Sequence, residues 1–259
     1  MKLTIYQIDA FAEKTFDGNP AAVCPLAVWL PDALMQSIAE ENNLSETAFF
    51  IPTATGFHIR WFTPTVEVDL CGHATLAAAY VLFDCLGYEH EIIEFESRSG
   101  LLSVSKEADL LVLDFPASPA EPCETPEAIR HAFGLEPLEC LKAEDYVVVF
   151  EDEDDVLSAD PNMEQLRKLD GRGVIITAPS ESCDFVVRFF APKCGIDEDP
   201  VTGSAYTQLA PYWSNRLGQD RLAAKQLSSR GGEVICRMQG NRVQIAGKAV
   251  KYLQGETEV

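Results

Sequence analysis

The chain has 259 residues, of which 47% are hydrophobic and 24% charged, a composition typical of a folded globular protein. Its 20 Lys and Arg are outnumbered by 41 Asp and Glu, which gives a formal net charge of −21. A protein this acidic repels phosphate backbones, so nucleic acid is excluded as an expected partner, and the charge is expected to serve solubility.

No segment of the sequence indicates secretion or a membrane. Residues 1–16 lack the apolar core of a signal peptide, and the longest apolar run, 74–83, is too short to span a bilayer. The eight cysteines are spread singly, without a Cys-x-x-Cys pair or zinc-finger spacing. We therefore expect reduced thiols and a cytoplasmic protein without a metal site.

In the first half of the chain, apolar alternation and turn residues predict mostly strands. The turn 18–20 precedes an apolar run at 21–24, and Pro31 with Asp32 opens a short helix. Strands are predicted at 3–10, 47–52, 57–63, 92–97 and 110–115, and a helical run starts at Gly72 and is closed by Gly87.

Four prolines within residues 116–126 predict a linker, because proline disrupts the interior of both helices and strands. We expect domains at 1–115 and 116–248, with residues 249–259 packed on the first. The acidic run 151–155 is expected to be a solvated loop. Helices are predicted at 127–133, at 163–169 and from about 203, and strands at 146–150, 173–178 and 184–190.

The two halves of the sequence resemble each other. RWFTP (60–64) is followed by DLCGHA (69–74), and RFFAP (188–192) by DEDPVTGSA (197–205). We interpret this echo as a duplication that gives two like domains, each with a helix beginning at its glycine. Helix N-termini favour anions, so Gly72 and Gly203 are candidates for holding a carboxylate. Both could instead be tight turns without a ligand.

Polar residues near these glycines are candidates for chemistry. Glu46 precedes an apolar strand and is expected to be partly desolvated, which suits proton transfer. His73 lies in an apolar helix start, and Asp199 and Ser204 flank the second glycine. Each also has a structural interpretation: a buried structural histidine, a surface or capping aspartate, and a helix N-cap serine.

Missing motifs narrow the possible chemistry. The sequence has no phosphate loop, dinucleotide fingerprint, HExxH motif or nucleophile elbow. Its four histidines are not closely paired, which disfavours a transition-metal site. Proton transfer by side chains, without a metal or organic cofactor, is the chemistry that remains.

Five blocks together resemble the successive signatures of the PhzF-like family of phenazine biosynthesis. They are residues 9–23, 41–50, 60–79, 187–205 and 226–232. The resemblance implies an α+β fold of the diaminopimelate epimerase type. Such a fold has two pseudo-symmetric domains, each a mixed sheet curled into a barrel-like roll around a central helix, with the active site between them.

The resemblance also implies roles for individual residues. Glu46 would be the acid/base, His73 and Asp199 the other catalytic residues, and Gly72, Gly203 and Ser204 would bind a small carboxylate substrate. In the best-known member, dihydro-3-hydroxyanthranilate is isomerised when one group moves a proton between two ring carbons. Family members are commonly homodimers, so a homodimer is expected. Arg230-Gly231-Gly232 matches a further block but receives no role.

Two alternatives remain open. One is an epimerase or racemase with opposed bases, either Glu46 with Asp199 or Cys71. The second glycine block has no cysteine at the helix start, which disfavours a two-thiol enzyme, and Cys71 is expected to be a small buried residue. The other alternative is a non-catalytic protein that only binds a small molecule.

Overall fold

The computed structural model describes residues 1–259. Its helices are α1 (Asp32–Asn42), α2 (Gly72–Tyr80), α3 (Glu127–Phe133), α4 (Glu153–Ser158), α5 (Met163–Leu166) and α6 (Ala205–Leu217). Its strands are β1 (Lys2–Ala10), β2 (Asn19–Pro25), β3 (Glu46–Pro52), β4 (Phe57–Phe62), β5 (Glu67–Val68), β6 (Ile92–Ser97), β7 (Gly100–Glu107), β8 (Leu110–Pro116), β9 (Glu121–Pro122), β10 (Glu139–Lys142), β11 (Tyr146–Val149), β12 (Val174–Pro179), β13 (Phe185–Ala191), β14 (Ile196–Asp199), β15 (Arg221–Gln226), β16 (Gly232–Gln239), β17 (Arg242–Gly247) and β18 (Ala249–Glu258). This mixture confirms the α+β class.

Contacts divide the chain into two compact units. Unit 1 comprises Met1–Asp114 and Ala246–Val259, and unit 2 comprises Phe115–Ile245. In unit 1, β1–β2, β3–β4 and β6–β7 are antiparallel pairs, whereas β2–β3 and β4–β6 are parallel. The strand β18 pairs antiparallel with β1, so the C-terminal segment completes the sheet of unit 1.

Unit 2 repeats this order of pairings. The antiparallel pairs are β10–β11, β12–β13 and β15–β16, and the parallel pairs are β11–β12 and β13–β15. A short antiparallel strand accompanies the middle strand in each unit, β5 on β4 and β14 on β13. The two units therefore share one pattern of strand neighbours.

The helix α2 lies within the core of unit 1. Its residues 73–79 are all buried, and it packs against β1, β2, β3 and β18. Four alanines allow strands to approach on every side, which explains a helix that is apolar all round. The helical run does not continue as an α-helix to Gly87: a π-helical turn at Val81–Cys85 ends it.

The expectation that the acidic run 151–155 is a loop needs correction. The acidic run 151–155 is only partly a loop, because the Asp152 carboxylate caps α4 by accepting from the backbone N–H of Asp155. Acidic residues favour a helix N-terminus, so this charge stabilises a helix start. The strands that were not predicted from local pattern are β2, β5, β7, β9, β10 and β14–β18.

The proline-rich segment 116–126 is tied into unit 2. Pro211 lies inside α6 and has no N–H to donate to the carbonyl of Thr207. That carbonyl instead accepts from the backbone N–H of Ser118 at 2.9 Å. The segment also contributes β9, which pairs with β10. No helix is both long and apolar enough to cross a bilayer.

Candidate active site

The turn between β1 and β2 brings Asn19 into the core of unit 1. Gly18 has φ +68°, and a Cβ atom there would lie 2.2 Å from the carbonyl oxygen of Ala10, so only glycine fits. Asn19 follows as the first residue of β2 and is fully buried. Its Oδ1 lies 3.3 Å from the Ser45 hydroxyl, which donates to it.

Glu46 and His73 meet beside this turn. Glu46 begins β3 in parallel register with Ala21 of β2, and His73 is the second residue of α2. The two side chains are buried, and Oε2 of Glu46 lies 3.1 Å from Nε2 of His73. Although this distance suits an ion pair, neither atom has a hydrogen-bond partner, which means the pair is misaligned for a hydrogen bond. Each atom keeps a bonding position for a ligand.

The other ring nitrogen of His73 faces different partners. Its Nδ1 lies 3.3 Å from Nδ2 of Asn19 and 3.6 Å from Sγ of Cys71. Burial, followed by the Glu46 carboxylate, raises the pKa of the Cys71 thiol to about 11. Burial alone would lower the pKa of His73, but Cys71 and Glu46 outweigh it and raise that pKa well above 6.5.

Glu46, Cys71 and His73 could also be considered as metal ligands, since one potential ligand atom from each lies within 4.8 Å of the others. However, Glu46 contacts Nε2 of the imidazole and Cys71 contacts Nδ1. A single ion bonds one nitrogen of a histidine at about 2.0–2.1 Å. The observed contacts would have to rearrange for all three to bind one ion, so the arrangement suits proton transfer better.

In unit 2, Asp199 lies at the end of β14 in a braced loop. It is buried, and its Oδ2 accepts a hydrogen bond from the Thr202 hydroxyl. Nε2 of Gln226 donates to the Asp199 carbonyl at 2.8 Å, while its Oε1 accepts from the Thr202 backbone at 3.0 Å. Ser228 donates to the carbonyl of Pro200 at 2.8 Å. The block 226–232 therefore holds the Asp199 loop in place.

Ser204 precedes α6, but its side chain does not cap the helix. Its Oγ instead accepts a hydrogen bond from Nη2 of Arg172 at 2.9 Å. Arg172 donates from Nε and Nη2 to the two carboxylate oxygens of Asp145, at 2.9 and 2.6 Å. Gln208 also donates to this fully buried carboxylate, at 2.8 Å. Ser204 therefore occupies the N-cap position, but the capping bond expected of its hydroxyl is not formed.

Matching ion pairs relate the two halves. Arg60 pairs with Glu67 at 2.7 Å, and Arg188 pairs with Glu198 at 2.7 Å. The spacing from arginine to helix glycine is 12 residues in unit 1 and 15 in unit 2. Each glutamate precedes its glycine by five residues, so the three extra residues of unit 2 lie between its arginine and its glutamate. Unit 2 has a 3₁₀ turn there, at Pro192–Cys194.

Strand register shows which residue of unit 2 corresponds to Glu46. In β3, the residue opposite Arg60 lies three positions after Glu46. In β12, the residue opposite Arg188 lies three positions after Gly173. A Cβ atom at Gly173 would lie 2.6 Å from Cζ of Phe189. The corresponding position therefore has no room for a side chain.

The structure thus groups the predicted residues within each unit. In unit 1, Glu46 and His73 are in contact, and Gly72 is the first residue of α2. In unit 2, the segment between β14 and α6 places Asp199, Gly203 and Ser204 close together in sequence. Sequence reasoning gave no role to the residues that support them: Asn19, Thr202, Arg172, Asp145, Gln208 and Gln226. Asn19 and Gln226 lie in the family blocks, whereas Arg172 had no local signal.

Comparison with known proteins shows the family of the chain. The family model for phenazine biosynthesis-like proteins, PhzC-PhzF, matches residues 8–255. An uncharacterised isomerase of Pseudomonas aeruginosa is 53% identical over 255 residues, which cover 98% of each chain. The chain belongs to this family. It is a PhzF-like isomerase.

Solved structures show the same fold. A PhzF family protein of Enterococcus faecalis is 46% identical, covers 100% of both chains and has a TM-score of 0.98. A hydroxyproline epimerase of Agrobacterium vitis, 10% identical, covers 98% of this chain and 92% of its own with a TM-score of 0.64. The PhzF-like chain therefore has the epimerase-type α+β fold that its sequence blocks implied.

Proposed function

We propose that this protein is a cofactor-independent isomerase in which Glu46 moves a proton between two carbon atoms of a small carboxylic acid. The observation that supports it is the pair of buried atoms, Oε2 of Glu46 and Nε2 of His73, without hydrogen-bond partners. Leaving buried polar atoms unpaired costs about 1–3 kcal/mol each. Such a cost is understandable where a ligand completes the bonding.

The proposed reaction has two proton transfers. The Glu46 carboxylate takes a proton from a substrate C–H bond, whose electron pair delocalises into an adjacent conjugated system and leaves a delocalised carbanion. The protonated Glu46 then gives the proton to another carbon, a new C–H bond forms, and the product tautomerises to a ketone. No electrons are gained or lost. A well-placed acid/base of this kind contributes about 10²–10⁴-fold in rate.

The remaining roles follow the family resemblance. His73 would face the substrate through Nε2 and stabilise the charge that develops during transfer. Gly72 and Gly203 would offer backbone N–H groups to the carboxylate, and Asp199 and Ser204 would orient polar substituents. The braces around Asp199 and Ser204 are consistent with groups that must keep a fixed orientation.

An isomerase with one base is favoured over an epimerase with two matched bases. The position that corresponds to Glu46 in unit 2 is Gly173, where a Cβ atom would clash with Phe189. Aligning the two helix glycines pairs Cys71 with Thr202, which has no thiol. Unit 2 therefore repeats neither the carboxylate nor the thiol, and a one-base shuttle is the simpler mechanism for these residues.

The experiment is proton exchange followed by NMR in D₂O. The panel contains dihydro-3-hydroxyanthranilate, proline, trans-4-hydroxy-L-proline and other small chiral carboxylic acids, with wild type and Glu46→Gln run in parallel. We expect isomerisation or deuterium uptake with at least one compound, and its loss in Glu46→Gln. The matched control is Glu67→Gln, a glutamate of the same unit that is paired with Arg60.

Each outcome distinguishes one candidate from the others. Migration of a hydrogen between two carbons supports the one-base isomerase. Inversion at one carbon with uptake of solvent deuterium supports the epimerase with Glu46 and Asp199. Exchange that survives in Glu46→Gln contradicts the assignment of the base. Tight ligand binding without any exchange supports the non-catalytic binding protein.

We also propose that the protein is a cytoplasmic homodimer, as the family resemblance implies. Light scattering on the purified protein should give twice the chain mass of 28.5 kDa. A monomer mass at micromolar protein concentration would overturn the dimer.

A further inference from the structure

Away from the proposed site, two cysteine sulfurs of unit 2 are in contact. Cys123 follows β9 and Cys140 lies in β10, and their Sγ atoms are 3.7 Å apart. The backbone N–H of Cys123 donates to the Cys140 carbonyl at 2.9 Å, next to the antiparallel pair Pro122 and Leu141. The two cysteines therefore face each other across the ladder.

This backbone arrangement can accept a disulfide. Opposed residues in a hydrogen-bonded antiparallel pair have Cα atoms about 5.5 Å apart, which is within the span of about 4.4–6.8 Å that disulfides bridge. Rotation about the Cα–Cβ bonds would have to shorten the sulfur separation from 3.7 Å to bonding distance. No large backbone movement is required.

We propose that Cys123 and Cys140 form a redox-active dithiol, which small-molecule disulfides oxidise to a cross-strand bridge and which trivalent arsenicals chelate. The thiolate of Cys123 attacks oxidised glutathione and releases one glutathione thiolate. The thiolate of Cys140 then attacks the sulfur of Cys123 and displaces the second glutathione. In total, two protein thiols are oxidised, one glutathione disulfide is reduced, and two glutathione thiols are released.

The order of attack follows from exposure. Cys123 is partly exposed, whereas Cys140 is 6% exposed, and burial followed by Cys123 raises the pKa of the Cys140 thiol to about 12. Because thiolates react and thiols do not, Cys123 attacks oxidised glutathione first and Cys140 resolves the mixed disulfide. Cys71 beside His73 is buried, so the dithiol reacts while the site thiol is protected.

Cys194 provides a comparison with the Cys123–Cys140 pair in the same chain. Cys194 is the exposed cysteine and no other cysteine sulfur contacts it. It can form a mixed disulfide with glutathione, but no internal bridge. The Cys123–Cys140 bridge, by contrast, closes a loop that contains α3 and joins the proline-rich segment to β10 covalently. We expect the oxidised protein to melt about 5 °C higher than the reduced protein.

The test uses the folded full-length protein. After treatment with oxidised glutathione, a peptide map without reductant should show a Cys123–Cys140 cross-link with the loss of two hydrogen atoms. Phenylarsine oxide should bind one equivalent to the reduced protein. Both signals should disappear in Cys123→Ser and in Cys140→Ala, and both should persist in the control Cys194→Ser.

Cys123→Ser is the primary variant, since a partly exposed cysteine tolerates serine without loss of the core; near-ultraviolet circular dichroism verifies its fold. Absence of the cross-link together with absence of arsenical binding overturns the proposal. A bridge that joins a different pair of cysteines also overturns it. None of these readouts uses the isomerase substrate, so the result is independent of the proposed function.

Discussion

The two corresponding helix starts are built in opposite ways. In unit 1, Glu46 and His73 are buried side by side, with an oxygen and a nitrogen 3.1 Å apart that make no hydrogen bond. In unit 2, the Ser204 hydroxyl is engaged by Arg172, whose charge is neutralised by the buried Asp145. One start keeps polar atoms available, and the other satisfies them internally.

This difference shows how two units with the same order of strand pairings can take different roles. Buried polar atoms without hydrogen bonds reduce stability but remain available to a substrate. A network in which every polar group has a partner, here called the closed network of unit 2, fixes a side chain and stabilises the fold. We therefore expect substitutions at the unit 1 start to affect turnover most, and substitutions at the unit 2 start to affect stability most. Four predictions test this contrast.

The largest loss of catalytic rate is expected when His73 is replaced. Replacement by Asn removes the ring nitrogen that faces Glu46 and should lower kcat about 10²–10³-fold on any substrate found by the exchange panel. Ser204→Ala, at the corresponding position, should change KM more than kcat. Steady-state kinetics with both variants checks this, and equal losses of kcat would remove the proposed contrast.

Breaking the closed network should cost the most stability. Arg172→Met leaves the buried Asp145 carboxylate with hydrogen bonds but no cation, and we expect a loss of about 3 kcal/mol in the free energy of unfolding. Urea unfolding measures it. The control Arg216→Met breaks an exposed pair with Glu139 and should cost less than about 1 kcal/mol. Similar losses in both variants would contradict the network.

A side chain at the position that corresponds to Glu46 should be rejected. The Cβ of Gly173→Ala would lie 2.6 Å from the Phe189 ring and 2.9 Å from the carbonyl oxygen of Phe190, and we expect a loss of about 1–3 kcal/mol. In the control Gly171→Ala, the nearest atom is 3.2 Å away on the Tyr146 ring, and the effect should be smaller. Urea midpoints of the two variants can be compared directly.

The smallest effect concerns alkaline pH. The pKa of Cys71 is raised from 9.0 to about 11, so the unfolded chain releases this proton first as the pH rises. The native state then binds more protons than the unfolded state, and Cys71 makes stability fall by up to about 1.4 kcal/mol per pH unit between pH 9 and 11. Urea unfolding across this range should show a shallower decline in Cys71→Ala.

The exposed Cys194 supplies the control for the alkaline experiment. Cys194→Ala removes an exposed thiol and should retain the full decline of wild type. An unchanged decline in Cys71→Ala would show that the thiol beside His73 is less buried than the structure indicates.

Much of the fold could be predicted from local sequence pattern. The helix expected at 127–133 has those bounds, and the strand expected at 3–10 begins one residue earlier. The strand β18 could not be predicted in this way, since its exposed polar residues and internal Gly255 give no strand pattern. Its partner β1 lies at the other end of the sequence, so its pairing depends on tertiary structure.

The candidate site could be predicted only for residues that lie in a recognisable sequence motif. Glu46 and His73 came from the family blocks, and their contact in the structure agrees with the proposed roles. The network that holds Ser204 was missed because Arg172 and Asp145 are placed by strand register, 32 and 59 residues away from it in sequence. Local pattern predicted that the Ser204 hydroxyl caps α6, but in the structure this hydroxyl is hydrogen-bonded to Arg172 instead.

The pairing of β18 with β1 has a consequence for biosynthesis. On the ribosome, β1 emerges before unit 2, but its antiparallel partner β18 emerges only after all of unit 2 has been translated. Unit 2 is continuous in sequence and can fold as soon as it leaves the exit tunnel. Unit 2 is therefore complete before unit 1, and the edge of β1 that β18 covers stays open to unwanted pairing until β18 has been translated.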